Sequence, residues 1–298
     1  MLVGAVAACG NVAGGKPLDA PVLVADARAM CDPMGAFDTP AVLAGFGTAA
    51  QESSPRLTPD ELEIYFDREA NGESSYDLYR AQRSSRDEAF AKPVALTDVN
   101  STGDDFNPTV RSDGLLLVFE SVRAGEMNHI YTSSRGSRAA EFPAPSKLAN
   151  VNSTGGNERE VQPFITADGQ ELWFASIRMG GLGGDDIYRA TWNGVGFANV
   201  EAVTALSTTS TDWLPTLSAD KLTIYLVSDR PNGKGRRDIW VAHRVSLSDG
   251  FPTPSPLTEL NTDSDDLVGW LSPDNCRLYF SSDRAGTSDI YVATRRPK

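Results

Sequence analysis

The sequence predicts an all-β fold, a five-bladed β-propeller with four-stranded antiparallel blades, closed by an N-terminal outer strand. Three observations lead there. A phrase centred on an aspartate recurs at Asp60, Asp113, Asp168, Asp220 and Asp274, with intervals of 53, 55, 52 and 54 residues, the mark of one repeated supersecondary unit. Each unit holds three short runs rich in β-branched and aromatic residues, set apart by turn residues and without a 3.6-residue apolar stripe. The second run of each unit, as at 115–119 and 172–174, is apolar on consecutive residues, which suits a strand buried on both faces between neighbouring blades.

The elements of the unit follow in a fixed order. A carboxylate opens each first strand (Glu52, Asp105, Glu160, Asp212, Asp266), and three residues later come Pro55, Pro108, Pro163 and Pro215, with Gly269 in the fifth unit. The aspartate then sits in a tight hairpin turn, as in Ser112-Asp113-Gly114, because Asp and Gly tolerate the positive φ such turns need. The second strand carries Phe66, Phe119, Phe174, Leu226 and Phe280 and ends on Arg123, Arg178, Arg230 and Arg284, whereas the first unit offers Arg68 two positions early. The third strand begins Asp77-Leu-Tyr, His129-Ile-Tyr, Asp186-Ile-Tyr, Asp238-Ile-Trp and Asp289-Ile-Tyr. A weaker run follows an aromatic at 37–43, 90–96, 142–148, 197–206 and 251–257; its prolines suit an edge strand. The chain therefore starts with an outer strand and stops after a third strand. The N-terminal run near Pro40 and Leu43 should complete the last blade.

Proline, Ser-x-Asp-Gly, an aromatic strand, Ser-x-Arg and Asp-Ile-Tyr together resemble the TolB-type propeller family of WD40-like repeats, over roughly residues 37–298. The resemblance implies the fold. It leaves function open, because the family includes periplasmic scaffolds, peptidase-associated propellers and sugar-degrading enzymes. Its pectin-degrading lyases are associated with a histidine-rich metal centre, which the 2 histidines here, His129 and His243, do not supply.

The 298 residues suggest two domains by length, but one closed ring absorbs them, giving a segment at 1–36 and a propeller at 37–298 that is expected to be a monomer. A net charge of −13 with no basic stripe argues against nucleic acid. Residues 1–9 end in Ala-Ala-Cys9 and resemble a bacterial lipoprotein processing box, which implies export to the periplasm and a lipid anchor on Cys9 at the outer membrane; the other reading is a plain apolar tail. No run of about eighteen apolar residues spans a membrane. Cys31 and Cys276 either pair across the proposed closure or stay as two thiols, and their spacing excludes a zinc site.

The candidate partner surface is the rim where first strands begin. The carboxylates Glu52, Asp105, Glu160, Asp212 and Asp266 form either a port for a cation or a basic segment, or a structural column tied by the arginines. Recurrence in every blade favours the second. Function is then sought where copies differ: Phe106 and Trp213 beside the acids, and the glycine hairpins at 179–184 and 231–237. No nucleophile elbow or phosphate loop is present. The acid-rich segment at 261–266 lacks the glycine and terminal glutamate of a calcium loop, so no cofactor or metal is expected, calcium being the one candidate. The expected function is a non-enzymatic binding or scaffolding module of the cell envelope that holds a protein partner. The alternative is a carbohydrate-binding or carbohydrate-cleaving propeller whose ligand is a glycan.

Overall fold

The computed structural model describes residues 31–69, 75–155 and 158–296. Cys9 and the rest of 1–30 lie outside the described residues. The described chain forms five four-stranded antiparallel sheets. In blade one these are β2 (Glu52–Leu57), β3 (Glu63–Glu69), β4 (Tyr76–Gln82) and β5 (Val94–Ala95). Blade two holds β6 (Asp105–Val110), β7 (Leu116–Ser121), β8 (His129–Ser134) and β9 (Ser146–Lys147). Blade three holds β10 (Glu160–Ile165), β11 (Glu171–Ser176), β12 (Asp186–Trp192) and β13 (Phe197–Ala202). Blade four holds β14 (Asp212–Leu217), β15 (Thr223–Ser228), β16 (Asp238–His243) and β17 (Ser255–Pro256). Blade five is β18 (Asp266–Leu271), β19 (Arg277–Ser282) and β20 (Asp289–Thr294), completed by β1 (Ala41–Val42), which pairs with β20.

The closure predicted from the sequence is the one observed. Beyond β1 it is extended by Asp38 N donating to Thr294 O at 2.8 Å, by Arg295 over the Phe37 ring at 4.1 Å, and by a Cys31–Cys276 disulfide across 245 residues. Outer strands are two residues long except β13, in keeping with the prolines beside them. The second strands are buried on both faces as expected, and their recurrent column of four phenylalanines and a leucine (Phe66, Phe119, Phe174, Leu226, Phe280) is fully buried.

The repeated aspartates are turn makers. Oδ1 of Asp60, Asp113, Asp168, Asp220 and Asp274 accepts from the backbone N–H two residues on, at 2.9 to 3.1 Å. The next residue is left-handed whatever its type: Glu61, Gly114, Gly169, Lys221 and Asn275 all have φ between 59° and 75°. Gly269 replaces the recurrent proline for a different reason. A Cβ there would lie 2.6 Å from the Pro55 carbonyl oxygen, where the inner strands of blades five and one meet.

Candidate functional site

The five inner strands β2, β6, β10, β14 and β18 surround the axis, and each carries a β-bulge just after its opening carboxylate. In four blades the bulged residue is left-handed without being glycine: Ser54, Asn107, Gln162 and Leu214, at φ 48° to 57°. Such backbone costs of order 1–3 kcal/mol per residue and persists only where its surroundings enforce it. In three of these the N–H of the bulged residue reaches the preceding blade. Asn107 N donates to Asp67 Oδ1 at 3.0 Å, Gln162 N to Glu120 Oε2 at 3.1 Å, and Leu214 N to Gln162 Oε1 at 3.3 Å. The Asn107 side chain continues the chain, its Nδ2 donating to Glu120 Oε2 at 2.8 Å and its Oδ1 accepting from Ser54 Oγ at 2.7 Å.

These groups line a cavity of about 270 Å³ at the axial mouth. Blades one to three supply its polar half, with Asp67, Asn107, Glu120, Gln162 and Asp185. Blades four and five supply a mainly apolar half of Trp213, Leu214, Val227 and Leu267, which Arg237 also enters, and Phe106 and Val161 add apolar surface from blades two and three. The Asp185 carboxylate is buried under a two-pronged ion pair with Arg159 (3.0 and 2.5 Å) and accepts from Trp213 Nε1 at 2.9 Å. Arg237 lies over the Trp213 ring at 5.1 Å, and Phe106 rests against Tyr76 at 5.2 Å.

Burial pushes the Glu120 carboxyl up to about 7, against the Asn107, Asn128 and Gln162 donors that favour its anion. Burial likewise raises Asp67, against Ser53 and Asn107. Above about pH 4.5 an unfolded Glu120 would ionise while the folded one keeps its proton to about 7, so wild-type stability falls as pH rises through this window. Replacing Glu120 with Gln removes that slope. Urea unfolding should show the variant gaining about 3 kcal/mol on wild type between pH 4.5 and pH 8; parallel curves would mean that Glu120 does not titrate there.

The carboxylate column does not reach the mouth. Glu52, Asp105, Glu160, Asp212 and Asp266 are fully buried at the joint between each inner strand and the loop entering it. Arg123 Nη2 binds Asp105 at 2.8 Å and Val99 O at 2.9 Å; Arg178 repeats this with Glu160 and Val151 O, Arg230 with Asp212 and Leu206 O, and Arg284 with Asp266 and Leu260 O. Arg68, off register in sequence, faces Glu52 across the sheet and still comes within 3.6 Å of it. Two of the acids that open third strands hold hairpin backbone instead, Asp186 accepting from Leu182 and Gly183, and Asp238 from Lys234 and Gly235. His129 bridges blades, its Nδ1 lying 3.0 Å from Glu160 Oε2.

Of the residues singled out from sequence, Phe106 and Trp213 line the cavity. In the segment at 261–266, Asn261 binds the backbone of Ile239, Asp265 Oδ2 the Arg236 guanidinium and Asp266 that of Arg284. Asp67, Glu120 and Asp185 were missed. The signal for them was the difference between copies that marks Phe106 and Trp213, extended to two more columns. At the second-strand position the five copies read Asp67, Glu120, Ala175, Val227 and Ser281; just before the third strand they read Tyr76, Asn128, Asp185, Arg237 and Ser288.

No protein-family model and no curated protein sequence matches the chain. Solved structures do match its fold. An endo-arabinase from Bacteroides thetaiotaomicron superposes with a TM-score of 0.58 at 15% identity, over 88% of this chain and 99% of that one. An α-L-arabinofuranosidase from Podospora anserina, in complex with cellotriose, gives 0.56 at 12% identity over 90% and 99%. TolB from Acinetobacter baumannii gives 0.49 at 19% identity over 83% of this chain, which spans 55% of that chain's length. The endo-arabinase and the arabinofuranosidase share the fold of this chain, and at these identities the likeness is one of fold alone.

Proposed function

We propose that the axial mouth binds a saccharide and that Glu120 acts there as a general acid for glycoside hydrolysis. The observation that carries this reading is the division of the cavity: a run of carboxyl and amide groups, each already fixed by a neighbour, faces an apolar wall built around Trp213. Sugars present that same division between hydroxyls and C–H faces. A cavity near 270 Å³ sits at the lower edge of the ~300–1,000 Å³ usual for small-ligand sites and suits about one sugar ring. A carboxyl raised to about 7 in the wall of this cavity keeps a proton at neutral pH that it can give to a leaving-group oxygen. That an endo-arabinase and an α-L-arabinofuranosidase share this fold supports the reading without carrying it.

Calorimetric titration with arabino-, xylo- and gluco-oligosaccharides, with a reducing-end assay alongside, tests this. Trp213→Ala should weaken binding at least tenfold, whereas Glu120→Gln should retain binding and lose hydrolysis. Silence across the panel, or binding indifferent to both changes, overturns it.

A second reading, an exported protein-binding module of the TolB type anchored through Cys9, is favoured by one feature. The rim hairpin of blade three exposes Met179 (92%) and Leu182 (53%), apolar side chains of the kind a protein partner covers. Capture of an envelope protein lost on Met179→Asp with Leu182→Asp, and kept on Trp213→Ala, would select it.

A further inference from the structure

Arg56 follows Pro55 on the inner strand of blade one, and its side chain turns into the channel. The residue is 2% exposed. Among the described residues no acceptor serves its Nε or Nη1, and the guanidinium lies 5.5 Å from the Phe164 ring. A ring face offsets part of a desolvated cation's cost but satisfies no N–H. The carboxylate that acts on it electrostatically, Asp67, is engaged elsewhere, with Oδ1 accepting from Asn107 N and Oδ2 from Ser53 Oγ.

Arg56 stands in the wall of a cavity of about 50 Å³ at the end of the channel opposite the saccharide mouth. That is above the ~10–15 Å³ which one water-sized particle needs, and far too small for a sugar or a phosphate ester. Thr109 shares the wall. Its Oγ1 accepts from the Ile165 amide at 3.3 Å, which leaves the hydroxyl proton to donate. The Arg56 side chain and the Thr109 hydroxyl thus stand in the wall of one space whose sides are apolar at Leu57, Phe164 and Trp270. Buried charges are ordinarily paired, because an isolated buried ion costs far more than any single contact returns.

We propose that this cavity is a binding site for a small monovalent anion of halide size, held between the Arg56 guanidinium and the Thr109 hydroxyl. The anion neutralises a cation that five inner strands enclose, so it belongs to the folded ring and is released on unfolding. The site is separate from the mouth and does not depend on the saccharide reading. A water molecule would serve the N–H groups but leave the charge unmatched.

The test uses the intact chain in sodium chloride or bromide against sodium gluconate at equal ionic strength. Binding confined to the folded state raises Tm with halide concentration, and wild type should gain about 5 °C at a hundredfold excess over Kd. Arg56→Met, which keeps the volume and removes the charge, should lose that response, and Arg56→Lys should keep part of it. Crystals grown in bromide should show one anomalous peak within hydrogen-bonding distance of Arg56. Should Arg56→Met fail to fold, the lysine variant and the bromide peak still decide. Equal halide responses in wild type and variants, or density beside Arg56 without anomalous signal, would mean general salt effects or water alone and would overturn the site.

Discussion

Replacing both Cys31 and Cys276 with serine is expected to lower the stability of the ring by about 4 kcal/mol. The bridge closes 245 residues of chain, near the upper end of what loop entropy can contribute. The rest of the closure joins a short strand pairing to the burial of Phe37, Leu43 and Phe46 in the core. Strand β1 pairs only Ala41 with Val292 and Val42 with Tyr291, and both β1 residues are exposed. Around it stand the Phe37–Arg295 bridge, the Arg295 stack on Phe37 and a surface ion pair between Arg296 and Asp38 at 2.7 Å. Guanidinium unfolding of wild type with and without reductant, beside the double serine variant, measures this. The reduced wild type and the variant should coincide, both below the oxidised protein. An unshifted midpoint would show that strand pairing alone holds the ring.

The second large effect is expected at the buried ion pairs. Arg230 is 7% exposed, its partner Asp212 is fully buried, and the same guanidinium nitrogen also binds Leu206 O at 2.8 Å. Arg230→Met strands a desolvated carboxylate and should cost about 3–5 kcal/mol. Adding Asp212→Leu should recover much of that loss, since what destabilises is the unpaired charge rather than the missing bond. Arg68→Met in blade one provides the contrast. That arginine is a quarter exposed and sits 3.6 Å from Glu52, whose carboxyl burial already pushes up and which can take a proton once its partner is gone, so a smaller loss than at Arg230 is expected. Equal costs at Arg230 and Arg68 would contradict the burial-based ranking.

The ring was legible in the sequence because structural demands recur. Every blade needs a turn, so an aspartate returns near Asp60, Asp113, Asp168, Asp220 and Asp274; every inner strand must be tied to its entry loop, so a carboxylate and an arginine return together. The N-terminal closure was legible for the same reason, since the outer-strand run that follows an aromatic in each unit also stands at 37–43, ahead of the first inner strand, and β1 there pairs with β20. The mouth was harder to read. Asp67 and Glu120 stand in a column filled elsewhere by Ala175, Val227 and Ser281, and strict strand alternation gives no hint that Ser54, Asn107 and Gln162 leave the regular path. The bulges at Asn107 and Gln162 set the N–H groups that fix Asp67 and Glu120, and no turn residue advertises them. Trp213 was visible as an aromatic beside an acid, but its bond to Asp185 joins residues from adjacent blades.

The residues that hold the blades together and those that face the mouth stand side by side: Asp105 next to Phe106, Asp212 next to Trp213, Asp266 next to Leu267. One of each couple is sealed in the joint, and its neighbour lines the cavity. Drift at the neighbour can therefore alter what is recognised while the joint stays intact, position by position around the axis. A chassis of this kind lets a new specificity arise by single changes, with no intermediate that must give up its fold.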